Sequence, residues 1–139
     1  VNVKKGQFLA PWKVDTIVQK IESTGNKNIL LTERGTTFGY ESLVTDVRSI
    51  SMMQKTGYPV IFDATHSAQI PGTSGNVTGG MREYIPVLAK ASVAAGCDGV
   101  FLEVHDNVNE AKSDATTQWP LDKLSDLLTT LKRIHQAIK

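Results

Sequence analysis

His66, Glu103 and Asp114 are the residue types that hold a divalent cation. One imidazole with two carboxylates suits Fe²⁺, Mn²⁺ or Zn²⁺. A second set is cationic: Lys4, Lys5 and Arg34. The planar fork of an arginine fits a carboxylate or phosphate and a lysine adds a mobile point charge, so this set points to an anionic, phosphorylated substrate. Because side chains alternate along a strand, only one of the two adjacent lysines can share a mouth with Arg34. Spacing alone leaves other readings open. A lone histidine is more often hydrogen-bonded structure than ligand, Glu33 and Arg34 in "TERG" can pair with each other, and the lysines can face solvent.

Residues this far apart need structural elements to bring them together. In "YPVIFDATHSAQIPG", residues 58 to 72, the apolar run Val60, Ile61 and Phe62 stops at Asp63 and His66. A continuous β-branched and aromatic run fits the middle of a parallel sheet covered on both faces. Asp63 and His66 then sit at the carboxyl end of the strand, where α/β sheets and barrels carry their chemistry. Three further segments have the same form: "VNVKK", "NILLTERG" and "DGVFLEVH". Each ends in polar groups: Lys4 and Lys5, Glu33 and Arg34, Glu103 and His105.

Helical patterns follow each strand. About residues 11 to 24, Val14, Ile17, Val18 and Ile21 share one face, with Pro11 in the first turn and Gly25 at the end. About residues 42 to 56, Val44, Val47, Ile50 and Met53 form a second stripe closed by Gly57. A third helix, about 80 to 95, is Ala-rich and follows the Gly-rich "PGTSGNVTGG", which reads as a mobile loop before a helix N-terminus able to hold an anion. The fourth, about 121 to 138, aligns Leu121, Leu124, Leu127, Leu128, Leu131, Ile134 and Ile138. Most of these stripes are core.

Four βα units make either a small doubly wound sheet or half of an eight-stranded barrel. The first strand is followed by "KKGQFLAPW" and not by G-x-G-x-x-G, so a dinucleotide fold is disfavoured and no nucleotide cofactor is expected. A ring of polar strand ends is the barrel pattern. The fold class is therefore α/β, of the TIM (β/α)8 barrel family, with residues 1–139 forming part of one domain. The opening directly on a strand reads as a start inside a larger protein, and a half barrel with two unpaired edges needs its other half or self-association.

Charge narrows the class of partner. Fifteen Lys plus Arg against 14 Asp plus Glu give a net charge of +1. That leaves no basic field for nucleic acid or for an anionic membrane. No apolar run reaches the ~20 residues of a membrane-spanning helix, no signal-peptide pattern is present, and a cytoplasmic location is expected. The single cysteine, Cys97, cannot form an internal disulfide; it falls at the rim opposite the mouth and is read as packing.

The motifs "NVKKGQFLAPW", "LTERGTTFGY", "VIFDATHS", "GGMRE", "DGVFLEVH" and "SDATTQWPL", in this order, resemble the carboxyl-terminal half of the 3-deoxy-D-manno-octulosonate 8-phosphate synthase family. The resemblance runs from Val1 to the last helix and implies strands five to eight of a (β/α)8 barrel, in a protein that is usually a homotetramer. It implies an aldol-type condensation of phosphoenolpyruvate with arabinose 5-phosphate, releasing phosphate and serving lipopolysaccharide synthesis. Lys4, Gln7 and Arg34 match the family's substrate-binding residues. His66, Glu103 and Asp114 match three metal ligands of the metal-dependent subgroup, and the resemblance places His66, Asp114 and Lys4 at the reaction. A fourth ligand, cysteine in that subgroup and asparagine in metal-independent members, would lie before Val1, as would the "KANRSS"-type segment for the sugar phosphate. Residues 1–139 alone are thus expected to be inactive.

Two rivals remain. The related 3-deoxy-arabino-heptulosonate 7-phosphate synthases share the "ERG" and "E-V-H" strand ends but carry "D-P-S-H" and "E-R-G-x-R-T-F" types of segment, whereas this chain has "DATHS" and "ERGTTFGY". A non-catalytic half barrel that only associates is the other.

Overall fold

A computed structural model describes residues 1–37, 39–74 and 77–139. Four strands, β1 (Asn2–Lys4), β2 (Leu30–Glu33), β3 (Val60–Asp63) and β4 (Gly99–Phe101), form one parallel sheet in the order β1-β2-β3-β4. Helices α1 (Val14–Glu22), α2 (Arg48–Gln54), α3 (Ile85–Ala94) and α4 (Leu124–Ala137) follow the strands in turn. A doubly wound sheet reverses its strand order at a switch point. This sheet does not, so its βα units run on in one direction, as they do around a barrel.

Register sorts the side chains onto two faces. Val3, Leu31 and Val60 are aligned, as are Glu33, Phe62 and Val100, and these face the helices. Leu31, Val60 and Phe62 are wholly buried in one cluster with Val14, Val18, Ile50, Met53, Ile85, Ala89, Val93, Leu127 and Leu131. Burial of a side chain such as Phe62 contributes about 1.5–3 kcal/mol. The other face carries Lys4 aligned with Thr32, Ile61 and Gly99, and Asp63 aligned with Phe101. Among the described residues no helix packs on that face, and Leu30 on it remains 39% exposed. Among the described residues no helix is long and apolar enough to cross a membrane.

Two helices start later than their hydrophobic stripes suggest. Leu43 and Val44 pair with Thr36 and Thr37 in a short antiparallel ladder, and Asp46 then accepts the Arg48 N–H at 3.0 Å, so α2 begins at Arg48. The described part of the Gly-rich stretch is a β-hairpin, Gln69–Ser74 against Val77–Gly80, and not a free loop; Gly75 and Asn76 lie outside the described residues, as does Phe38. Ladder pairing of Gly79 and Gly80 delays α3 to Ile85, and Pro86 in its first turn offers no N–H to an anion. In α4, Leu127 and Leu131 reach the core, while Leu128 stays exposed, as do Leu121 before the helix and Ile138 after it.

Lys5 faces the helices and is 1% exposed, as is Glu33. Its Nζ lies 3.6 Å from Glu33 Oε1 and donates to the Gly6 carbonyl at 3.2 Å, the Leu9 carbonyl at 3.4 Å and Thr36 Oγ1 at 3.2 Å. Glu33 Oε1 in turn accepts the Gly35 N–H at 2.7 Å. The pair ties the loops after β1 and β2 together. Breaking a buried pair leaves one charge uncompensated, so Lys5→Met is expected to destabilise the protein by about 3–5 kcal/mol in urea unfolding. The double variant Lys5→Met/Glu33→Leu should recover most of that loss, because neither charge then remains.

Cys97 is 4% exposed just before β4, at the end of the sheet away from Asp63 and Lys4. Burial, aided by Asp98, pushes its thiol from 9.0 up to about 11. At pH 8 the folded protein should therefore react with iodoacetamide at least roughly a hundredfold more slowly than the urea-unfolded chain. Since the unfolded thiol ionises first, stability should also fall as pH rises from 9.0 towards about 11.

Candidate functional site

The open face of the sheet gathers its chemistry at the carboxyl ends of the strands. Lys4, the last residue of β1, donates to Asp63 Oδ2 at 2.8 Å and lies 4.6 Å from the centre of the Phe101 ring. Asp63, the last residue of β3, is fully buried and accepts the His66 backbone N–H at 2.9 Å through Oδ1. Its Oδ2 lies 2.7 Å from His66 Nδ1. The chain turns at Ala64 and Thr65 and this short link brings the imidazole back onto its own strand end. Burial alone would raise the Asp63 carboxyl, but the His66 side chain, the His66 N–H and the Lys4 ammonium outweigh it and hold the group below its ordinary value.

A carboxylate can only accept, so His66 donates Nδ1–H to Asp63 and turns Nε2 outward. Nε2 lies 3.3 Å from Glu103 Oε1 and 3.9 Å from Asp114 Oδ2. One ligand atom from each of His66, Glu103 and Asp114 lies within 4.8 Å of the others. Two ligands held about 2.1 Å from one ion are themselves about 3.4 Å apart in a tetrahedron and up to about 4.2 Å apart when opposed. The two measured separations fall in or near that range. The Asp63 contact is also the carboxylate–histidine pairing that fixes the ring behind a metal-bound nitrogen. These residues fit a divalent ion.

Local structure holds the acids in place. The Glu103 N–H is bound by Thr65 Oγ1 at 2.8 Å, and Glu103 Oε2 accepts from Gln118 Nε2 at 3.2 Å. Asp114 has φ +52°, a left-handed conformation that aspartate tolerates better than most residues. Its carbonyl accepts the Thr117 and Gln118 N–H groups, each at 2.8 Å, which closes the turn. A backbone held there costs of order 1–3 kcal/mol and persists only where its surroundings fix it.

Arg34 follows β2 and is half-buried; Nη2 donates to Gln69 Oε1 at 3.0 Å, and Gln69 Nε2 donates to Asp114 Oδ1. The buried Nη1 of Arg34 has no partner among the described residues. Burial lowers its proton affinity against the opposing pull of Asp63, Asp114 and Glu33, yet an arginine keeps its charge at neutral pH. The result is an anion-seeking N–H beside a cation-seeking cluster.

Strand alternation divides the expected cationic set. Lys4 and Arg34 reach the mouth, whereas Lys5 turns to the helices and pairs with Glu33, which is thereby not Arg34's partner. Gln7 is held to the loop after β2, accepting from Thr37 Oγ1 at 2.8 Å. His105 bonds to Asp106 and the Asn107 N–H and stays outside the cluster. Sequence reading missed Thr65, Gln69 and Gln118 as members of the site. Nothing in their spacing marks them, because each acts through a partner at least 15 residues away.

A single-wound parallel α/β sheet whose strand ends gather an arginine with one buried N–H unbonded among the described residues, a lysine, and a histidine with two acids defines the class. The chain belongs to the DAHP synthetase I family, whose description matches residues 1–139. Within it the chain is similar to the 2-dehydro-3-deoxyphosphooctonate aldolase of Francisella tularensis subsp. novicida (strain U112), with 52% identity over 139 residues, all of this chain and 50% of that protein. The proteins of the same name from Xanthomonas campestris pv. campestris (strain B100) and Xanthomonas axonopodis pv. citri (strain 306) match over the same extent, also at 52% identity. The chain spans about half the length of these curated relatives.

Proposed function

We propose that residues 1–139 are strands five to eight, with their helices, of a single (β/α)8 barrel, and that the intact protein makes 3-deoxy-D-manno-octulosonate 8-phosphate from phosphoenolpyruvate and arabinose 5-phosphate. The observation that carries this reading is the chain of contacts Arg34–Gln69–Asp114–His66–Glu103 on one open face, with a buried Arg34 N–H left over for an anion. The likeness to proteins named 2-dehydro-3-deoxyphosphooctonate aldolase supports the product.

In this reading Lys4 and Arg34 bind phosphoenolpyruvate, and Gln7 contacts substrate. Two phosphorylated substrates repel each other, and Lys4 and Arg34 offset that repulsion while fixing the reacting carbons side by side. Carbon three of the enol bonds to the aldehyde carbon, whose oxygen takes a proton. Water adds at carbon two and loses a proton, and cleavage of the bond from carbon two to the ester oxygen releases phosphate. His66, Glu103 and Asp114 would hold Fe²⁺, Mn²⁺ or Zn²⁺, and when bound the ion would supply charge to polarise the aldehyde or orient the water. Asp63 fixes the His66 tautomer, and Lys4 bridges the substrate to Asp63, so His66, Asp114 and Lys4 stand nearest the reaction. The protein is read as a cytoplasmic homotetramer without nucleic-acid or membrane partners.

The test is to assay the intact protein with arabinose 5-phosphate and with erythrose 4-phosphate. A clear preference for the five-carbon sugar is expected. Preference for erythrose 4-phosphate would assign the heptulosonate reaction instead. Residues 1–139 by themselves should release no phosphate from phosphoenolpyruvate, and turnover by this half alone would contradict the half-barrel reading.

A further inference from the structure

We infer that Gln69 is a positioning residue that keeps Arg34 and Asp114 apart as separate binding groups; this rests on the reading of those two residues given above. Arg34 and Asp114 carry opposite charges and attract each other across the open face. Paired directly, the guanidinium would lose its capacity for an anion and the carboxylate its capacity for a cation. Gln69 stands between them. Its Oε1 accepts from Arg34 Nη2 at 3.0 Å and its Nε2 donates to Asp114 Oδ1. Arginine offers only donors and a carboxylate only acceptors, so the reversed amide would set like against like at both ends. One orientation satisfies both.

Neutrality is the second point. A glutamate here would neutralise Arg34 and repel Asp114, and a lysine would do the converse. A carboxamide satisfies one hydrogen-bonding site on each partner and leaves both charges for incoming ligands.

The side chain also starts from a fixed backbone. Gln69 is 8% exposed and sits in register with Gly80 at the base of the hairpin. A Cβ on Gly80 would lie 2.2 Å from Thr117 Cγ2, so the hairpin base and the Asp114 turn are in close contact. Arg82, just past the hairpin, donates to the Ala115 carbonyl. The spacer is braced at both ends.

The experiment uses the intact protein, stripped with a chelator, as wild type, Gln69→Met and Gln69→Asn. Methionine keeps length without hydrogen bonds; asparagine keeps the amide but is one methylene too short to span both partners. Dissociation constants are measured for Mn²⁺ by competition with a chelating dye and for phosphoenolpyruvate by calorimetry, with circular dichroism as the check on folding. Each folded variant should weaken both ligands by about tenfold or more, the scale of losing a partner behind a metal ligand. Should the methionine variant not fold, the asparagine variant carries the test. Binding of both ligands within twofold of wild type overturns the inference, and so does weakening of only one. A wild-type protein that fails to bind either one removes the underlying reading, and that result is visible before any variant is made.

Discussion

His66→Ala in the intact protein is expected to lose bound metal and to lower turnover by more than about 100-fold. The imidazole does two things at once in this structure. Its Nε2 faces Glu103 and Asp114 at 3.3 and 3.9 Å, and its Nδ1 meets the buried Asp63 at 2.7 Å. Losing only a partner behind a ligand costs 10–100-fold in metal affinity or activity, so losing the ligand itself should exceed that. Removal also strips Asp63 of its nearest partner and leaves Lys4 as its remaining ion pair. His66→Asn, which keeps a polar group next to Asp63, separates loss of the ion from loss of fold. Metal content by mass spectrometry and phosphate release together decide it. If both are unaltered, His66 is a structural histidine and the ligand assignment is wrong.

Arg34→Lys should depress kcat/KM by about 10–100-fold, the scale of losing one hydrogen bond to a charged group. Lysine keeps the positive charge but not the fork: one nitrogen cannot stand both where Nη2 bonds Gln69 and where Nη1, without a partner among the described residues, offers its N–H to an anion. Most of the loss should appear in KM for phosphoenolpyruvate, since the interaction is already present in the ground state. Metal content should stay close to wild type, because Gln69 still reaches Asp114. A KM within twofold of wild type would show that the anion binds elsewhere. The pair of variants thus splits the site: His66→Ala removes the cation, Arg34→Lys the anion.

The sequence carried much of this. Apolar runs that end in polar residues located all four strands, and their alternation with amphipathic stripes gave the order of elements. Gly25 and Gly57, read from the sequence as helix stops, adopt positive φ, a conformation that other residues resist. His66 and Glu103 were legible as candidate ligands at strand ends, and Asp114 as an acid in the loop that follows. The late starts of α2 and α3 were not, since Leu43–Val44 and Val77–Gly80 are drawn into ladders with partners outside any helical window.

By itself the sequence determined which residues are available for chemistry and at which strand ends or following loops they fall, since hydrophobic periodicity is local. It also required Lys4 and Lys5 to part, because neighbours on a strand face opposite ways. Only the tertiary structure decided which lysine faces the mouth, that Glu33 belongs to Lys5 and not to Arg34, and that Gln69 stands between Arg34 and Asp114. Those choices depend on strand register and on side chains meeting across 28 to 45 residues of chain, and no local pattern encodes a distance of that kind.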